Sequence, residues 1–250
     1  MRLSSRLKTI YDMVPKSTRL ADIGTDHAYL PAALVKGGKA EAVIATDLRA
    51  APLKGAERYL RSHGLLEKIE LRQGDGLTVL SPGEVEGMIM SGLGGGTLVK
   101  MLEAAPHVLA SLRYVLLAPQ NDAYLLRAFF LRTAFALVDE RLIQEEGRFY
   151  PILCFAPGDA LQPYRLNNYS FYEALYVGPF LLSRGGFLMK RYLENELAQT
   201  VRIREQIEKR STYEHRERRL LTFTRQEKLL RRRILALEEN ARSSRTDKRR

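Results

Sequence analysis

Three acidic residues stand where short apolar runs give way to glycine or polar turns: Asp22 in Ala21-Asp22-Ile23-Gly24-Thr25, Asp47 in Thr46-Asp47-Leu48, and Asp75 in Gly74-Asp75-Gly76. A carboxylate at a strand end can hold a cationic or hydroxyl-bearing small molecule. Asp47 lies 23 positions after Gly24, where a carboxylate can accept both hydroxyls of a ribose. Asp75 can accept from an adenine amino group. Asp22, with the backbone around Gly24, faces an amino-acid end. Strand ends of an open α/β sheet converge on one crevice, so three acidic turns in succession point to one nucleoside site. A dinucleotide fingerprint places three glycines against a pyrophosphate, and only Gly24 is present in the first turn. S-adenosylmethionine has no phosphate and fits better. The expected cofactor contacts are Asp22, Ile23, Gly24, Thr25, Asp47, Leu48, Gly74, Asp75, Gly76, Ser91 and Gly92.

Two further stretches are candidates for the acceptor side. Ser91-Gly92-Leu93-Gly94-Gly95-Gly96 leaves the backbone open where a transferred group and its acceptor meet. Asn121 can hydrogen-bond a base edge or cap the helix that starts at Asp122. Four histidines (His27, His63, His107 and His215) form no metal-type pair, and Cys154 is the sole cysteine. No metal centre is expected. Cys154 lies in the apolar run Pro151–Phe155 and reads as buried.

The elements that must position these residues follow from the hydrophobic pattern. Short β-like runs occupy 20–23, 42–46, 69–72, 88–90, 114–117, 136–143 and 149–156, with helical segments at 29–36, 51–63, 97–109 and 123–133. The middle runs read as buried parallel strands. The last two flank Glu145-Glu146-Gly147-Arg148, a hairpin turn. This predicts an α/β domain with a mostly parallel sheet and a terminal antiparallel hairpin, the plan of Rossmann-like class I methyltransferases. It spans residues 1–159. Residues 160–186 read as a connector containing Pro163, Pro179 and Gly185-Gly186.

After Gly186 there is neither Gly nor Pro. Leu193, Leu197, Thr200, Arg204 and Ile207 keep a four-three spacing, as do Phe223, Glu227, Leu230, Ile234 and Leu237. Residues 187–242 are therefore expected to form an antiparallel coiled-coil hairpin with a break near Arg210–Tyr213. Residues 243–250 read as a disordered basic tail. The net charge of +11 is uneven: residues 1–183 hold 20 Lys+Arg against 19 Asp+Glu (+1), and residues 184–250 hold 20 against 10 (+10). A near-neutral body with a basic appendage suits a polyanionic partner. There is no aromatic-rich face of the membrane-surface kind, no signal-type apolar core and no run of membrane-spanning length. A cytoplasmic protein is expected, without a membrane partner.

The stretch Asp22-Ile23-Gly24-Thr25-Asp26-His27-Ala28-Tyr29-Leu30-Pro31 resembles the first motif of the bacterial tRNA (adenine-N1) methyltransferases that modify adenine 22. Gly74-Asp75-Gly76-Leu77 and Gly92-Leu93-Gly94-Gly95 resemble its later motifs, and Glu145-Glu146-Gly147-Arg148-Phe149-Tyr150 its late hairpin. Tyr176-x-Gly178-Pro179-x-Leu181 resembles its lead-in to a C-terminal coiled coil. The likeness covers about residues 1–240. Asp47 stands where the family tends to have Glu, and Ala118-Pro119-Gln120-Asn121 where it often reads Leu-Gln-Pro-Asn.

The resemblance implies methyl transfer from S-adenosylmethionine to N1 of a tRNA adenine. The N1 lone pair is already nucleophilic, so the main task is alignment and exclusion of water. Methylation leaves a cationic base, which a carboxylate can stabilise. Asp26 is the residue expected in that role, with His27 orienting it or touching the base and Tyr29 stacking on the base. Gly94, Gly95 and Asn121 are expected on the substrate side, and Arg204, Arg210, Arg218 and Arg219 on tRNA phosphates. A monomer is expected, with a dimer through the coiled coil as the alternative. The competing readings are a methyltransferase of the same fold acting on another RNA or a small molecule, and a non-catalytic RNA-binding protein.

Overall fold

The computed structural model describes residues 3–165, 169–209 and 216–247, with side chains to Glu239 in the last segment. The chain forms two compact units, Met1–Phe180 and Leu181–Arg250.

The first unit opens with α1 (Ser5–Met13) and β1 (Ser17–Ile23), followed by α2 (Tyr29–Lys36), β2 (Ala40–Asp47), α3 (Ala50–Ser62) and β3 (Ile69–Gln73). A 3-10 turn at Gly76–Val79 leads to β4 (Gly87–Ser91), α4 (Gly95–Ala104), α5 (Pro106–Ala110), β5 (Tyr114–Ala118) and α6 (Ala123–Phe130). The hairpin β6 (Phe135–Glu145) and β7 (Arg148–Pro157) closes the sheet, whose order is β3-β2-β1-β4-β5-β7-β6. β1 to β5 pair in parallel, and β7 pairs antiparallel with both β5 and β6. The hairpin turn is two residues long, with φ 49° at Glu146 and 78° at Gly147. Positive φ at both positions is what the commonest tight hairpin turn requires.

Alternate strand residues feed cores on the two faces, as the pleat demands. Ala21, Ile23, Ile44, Met88, Met90, Val115 and Leu117 pack with Leu98, Leu102, Leu126 and Phe130. Leu20, Val43, Ala45, Ile89 and Leu116 pack with Ile10, Leu30, Leu34 and Leu60. The single helix expected over 97–109 is two helices. Ala105, at φ −138° and ψ 62°, breaks it, because Pro106 lacks an N–H and forces its predecessor out of the helical region. Cys154 is buried, and burial pushes its thiol up to about 12.

Residues 160–180 carry α7 (Gln162–Arg165), α8 (Phe171–Val177) and the start of α9 (Pro179–Arg184). α8 has a capping box between Ser170 and Glu173. This segment wraps a fully buried ion pair. Arg127 Nε donates to Glu140 Oε1 at 2.6 Å, and both side chains are 0% exposed. Arg127 Nη1 also donates to the carbonyls of Leu175 and Tyr176, and Glu140 Oε2 accepts from the N–H of Phe180. Gly178, at φ 114°, passes so close that a Cβ there would lie 2.6 Å from Glu140 Oε2.

The second unit contains α10 (Gly186–Lys209) and α11 (Arg216–Asp247). Leu193, Thr200 and Ile207 are buried on α10, as are Gln226, Leu229 and Leu230 on α11. Lys190 pairs with Glu238 at 2.7 Å and Arg204 with Glu227 at 2.9 Å. Early residues of α10 thus meet late residues of α11, so the hairpin is antiparallel. Two of the polar residues at expected seam positions, Arg204 and Glu227, compensate each other. The break expected near Arg210–Tyr213 lies outside the described residues. α11 runs on to Asp247, into the stretch expected to be disordered, since no Gly or Pro stops it. No helix among the described residues is long and apolar enough to cross a membrane.

Candidate active site

β1 is flanked by β2 and β4, so the chain reverses its winding there. The crevice beyond the strand ends at such a switch point is the ligand site of open α/β sheets. A cleft of about 590 Å³ lies there, lined by Asp22, Ile23, Gly24, Thr25, Asp47, Leu48, Gly74, Asp75, Gly76, Ser91 and Gly92. These are all of the residues expected to touch the cofactor. Gly24 and Gly92 have φ of 76° and 82°, and a Cβ on either would meet no protein atom within 4 Å. Both turns therefore need glycine for their backbone and leave space beside it. The N–H groups of Gly24 and Thr25 both donate to the carbonyl of Thr46, at 2.9 and 2.8 Å. Those two N–H groups serve the turn itself rather than a ligand.

Two buried carboxylates and a buried hydroxyl belong to the lining of the cleft. Asp22 is 4% exposed, and burial raises its carboxyl to about 6. The Thr25 hydroxyl pulls the other way but makes no hydrogen bond of normal geometry. Asp47 is 7% exposed and accepts from the N–H of Arg49 at 2.9 Å. The Thr46 hydroxyl is fully buried and has no hydrogen-bond partner among the described residues. Buried polar atoms are ordinarily paired. A buried acid and an unpartnered hydroxyl in the lining of one cleft mark a place for a ligand with a cation and hydrogen-bonding groups.

Asp26, His27 and Tyr29 line the mouth of the same cleft. Asp26 and Ala28 both adopt left-handed backbone, φ 53° and 56°, which turns the intervening His27 outward. The His27 Nε2 lies 3.6 Å from Asp26 Oδ2, and the two side chains are 51% and 61% exposed. The His27 ring sits 5.4 Å from that of Tyr29.

Gly94, Gly95 and Asn121 do not line the cleft. The Asn121 side chain instead accepts from the N–H of Gly95 at 3.2 Å, at the start of α4. A Cβ on Gly95 would lie 2.5 Å from the Asp122 carbonyl, and one on Gly94 2.9 Å from Asn121 Oδ1. These glycines let two loops approach, which is a packing role. Arg204 is engaged by Glu227 and Glu208. Arg218 is exposed on α11, as is Arg219, while Arg210 is outside the described residues.

The cleft also takes Arg6 and Leu7 from α1, and Leu30, Thr46, Arg49, Leu93, Thr97, Met101 and Gln120. Thr46 and Gln120 are sequence neighbours of expected residues. Arg6 gave no local signal: its helix is brought back by the sheet edge, where its N–H donates to Glu145 and its guanidinium lies 4.9 Å from the Tyr150 ring centre. Among the described residues, no group of His, Cys, Asp and Glu is placed to hold a metal ion.

Residues 3–153 match the family model described as "Methyltransferase domain". The tRNA (adenine(22)-N(1))-methyltransferase of Bacillus subtilis (strain 168) is 33% identical over 220 residues, 88% of this chain and 92% of that one. The chain belongs to this methyltransferase family. The crystal structure of the B. subtilis family member TrmK superposes with a TM-score of 0.83 at 32% identity, covering 93% of this chain and 99% of that one. A Streptococcus pneumoniae protein, in complex with S-adenosyl-L-methionine, does so at 0.79 and 25% identity over 93% of this chain and 100% of that one. The family fold therefore extends through both units.

Proposed function

We propose that this chain is a tRNA (adenine(22)-N1)-methyltransferase that uses S-adenosylmethionine. The observation that carries the reading is the cleft at the switch point that gathers Asp22, Asp47 and Asp75, with the buried Asp22 carboxyl and the unpartnered Thr46 hydroxyl among its lining and no pyrophosphate-type glycine turn. This donor set fits a cofactor with an ammonium group, ribose hydroxyls and an adenine. When bound, S-adenosylmethionine supplies a methyl group on an electrophilic sulfonium.

Asp22 holds the ammonium, Asp47 the ribose hydroxyls, and Asp75 the adenine amino group. Arg6 provides positive charge for the carboxylate. Asp26, at the mouth, stabilises the positive charge that develops on adenine or takes the amino proton. His27 orients Asp26, and Tyr29 stacks on the base. The arginines of α11 attract tRNA phosphates. The buried seam residues and ion pairs of the hairpin close within one chain, which supports a monomer. A tRNA substrate puts the reaction in the cytoplasm.

Mass mapping of tRNA after incubation with labelled S-adenosylmethionine tests the reading. Label on N1 of adenine 22 is expected; label on another nucleotide, or none, overturns it. Asp26→Asn is expected to lower kcat by about 10- to 100-fold, with cofactor affinity unchanged, because an exposed charge is worth less than a buried one. Asn tolerates the left-handed backbone at this position, so the variant isolates the charge. Normal turnover would remove Asp26 from the mechanism.

Cofactor affinity should also depend on pH. An ammonium favours ionised Asp22, so affinity is full well above pH 6, about half near pH 6, and lost as pH falls below it. With the carboxyl at about 6, binding at pH 5 should be about tenfold weaker than at pH 7. Calorimetric titration from pH 5 to 8 checks this; a flat profile would exclude Asp22 as the ammonium's partner.

A further inference from the structure

His27 and Tyr29 are the first members of a longer run of rings. Tyr29 meets Tyr59 of α3 edge-on at 5.0 Å, and Tyr59 meets His63 at 4.3 Å. The run leads from the cleft mouth along α3 and over the surface. Tyr29 is 38% exposed, and His63 is exposed. α3 buries Leu53, Ala56 and Leu60, and Tyr59 packs half-buried against the core that Ala56 and Leu60 join, while Tyr29 and His63 stay exposed. Gly55 sits in the middle of α3, where glycine is a poor helix former. A Cβ there would lie 3.3 Å from His27 Nδ1, so the bare backbone seats the first ring of the run.

A basic stripe occupies the exposed side of the same helix. Lys54, Arg58 and Arg61 recur at i, i+4 and i+7, which is one helix face. Arg61 pairs with Glu57. Lys54 and Arg58 are exposed and have no carboxylate within ion-pair distance among the described residues. Rings with cations exposed on the same helix make a surface on which unpaired nucleotides stack while their phosphates are held.

We propose that this face of α3 is a second RNA-contact surface, which binds the unpaired nucleotides flanking the target adenine. The inference rests on the tRNA reading above. The occupant is RNA because the cations complement phosphate and the rings complement bases. Holding the flanking strand here keeps the target base displaced toward the cleft mouth, where Tyr29 begins the run.

The test uses the full-length chain and unmodified tRNA, with KM for tRNA, its salt dependence, cofactor Kd and Tm as readouts. Tyr59→Leu, which keeps an apolar side chain against the core, should raise KM for tRNA about tenfold or more, leaving kcat and cofactor Kd near those of the unaltered chain. Tyr59→Phe should restore KM, because the ring face is what stacks. Lys54→Glu with Arg58→Glu should raise KM by at least tenfold and reduce the log–log salt slope by roughly 1 to 2. Unchanged KM and salt slope in these variants, with the unaltered chain active, would overturn this inference alone. Loss of cofactor binding and Tm in parallel with KM would also overturn it, by showing a folding role. An unaltered chain that does not methylate tRNA would overturn both this inference and the reading beneath it.

Discussion

Asp22→Asn is expected to weaken cofactor binding by about 100- to 1000-fold and, at the same time, to raise the thermal stability of the cofactor-free protein. The two effects share one cause. The carboxylate is 4% exposed and sits at about 6 rather than 3.8 because burial disfavours its charge. An acid whose folded value is raised penalises the folded state above its unfolded value, and fully so above pH 6. That penalty is roughly 3 kcal/mol at neutral pH. Asn keeps the shape and removes the charge, so the cofactor-free protein gains most at pH 7 and above, and little near pH 4. A bound ammonium reverses the balance: it makes the buried charge favourable, and losing one partner of such a pair costs about 2–5 kcal/mol. Thermal melts with and without S-adenosylmethionine, paired with calorimetric titration, check both signs. A lower Tm for the cofactor-free variant would show that Asp22 is structural.

The second large effect is expected at the buried pair beneath the connector. Arg127→Met or Glu140→Ala should each destabilise the first unit by about 3–5 kcal/mol, because each leaves a desolvated charge without its partner. The surrounding bonds to Leu175, Tyr176 and Phe180 add to the loss. The double variant should cost clearly less than the two single losses together, since neither charge then remains. Urea denaturation of all three variants measures the coupling. Strict additivity would mean that the two side chains act independently.

Much of the catalytic unit was legible because its signals are local. Buried parallel strands read as short apolar runs, and the acidic turns sit at their ends, so Asp22, Asp47 and Asp75 could be assigned to one crevice before any coordinates. The hairpin was readable from Glu146-Gly147, whose positive φ values only a few residue types accept readily. What escaped was decided by tertiary approach. Gly94 and Gly95 looked like an open substrate loop, yet they are small because the Asn121–Asp122 loop packs on them. Arg6 reaches the cleft only because α1 folds back beside the β6–β7 hairpin. Arg127 and Glu140 are 13 residues apart on a helix and a strand, with no periodicity to join them. The Pro106 break was visible in the sequence, but the apolar pattern continues across it.

The lone cysteine has a practical consequence. Cys154 is buried, and its thiol stays protonated far above neutral pH, so alkylating reagents should pass it by. The natural chain therefore already offers a silent background for site-specific probes. A cysteine introduced on the exposed face of α11 would be the one reactive thiol available to a fluorophore or spin label. The approach of tRNA to the basic helix could then be followed without first stripping the protein of its own sulfur.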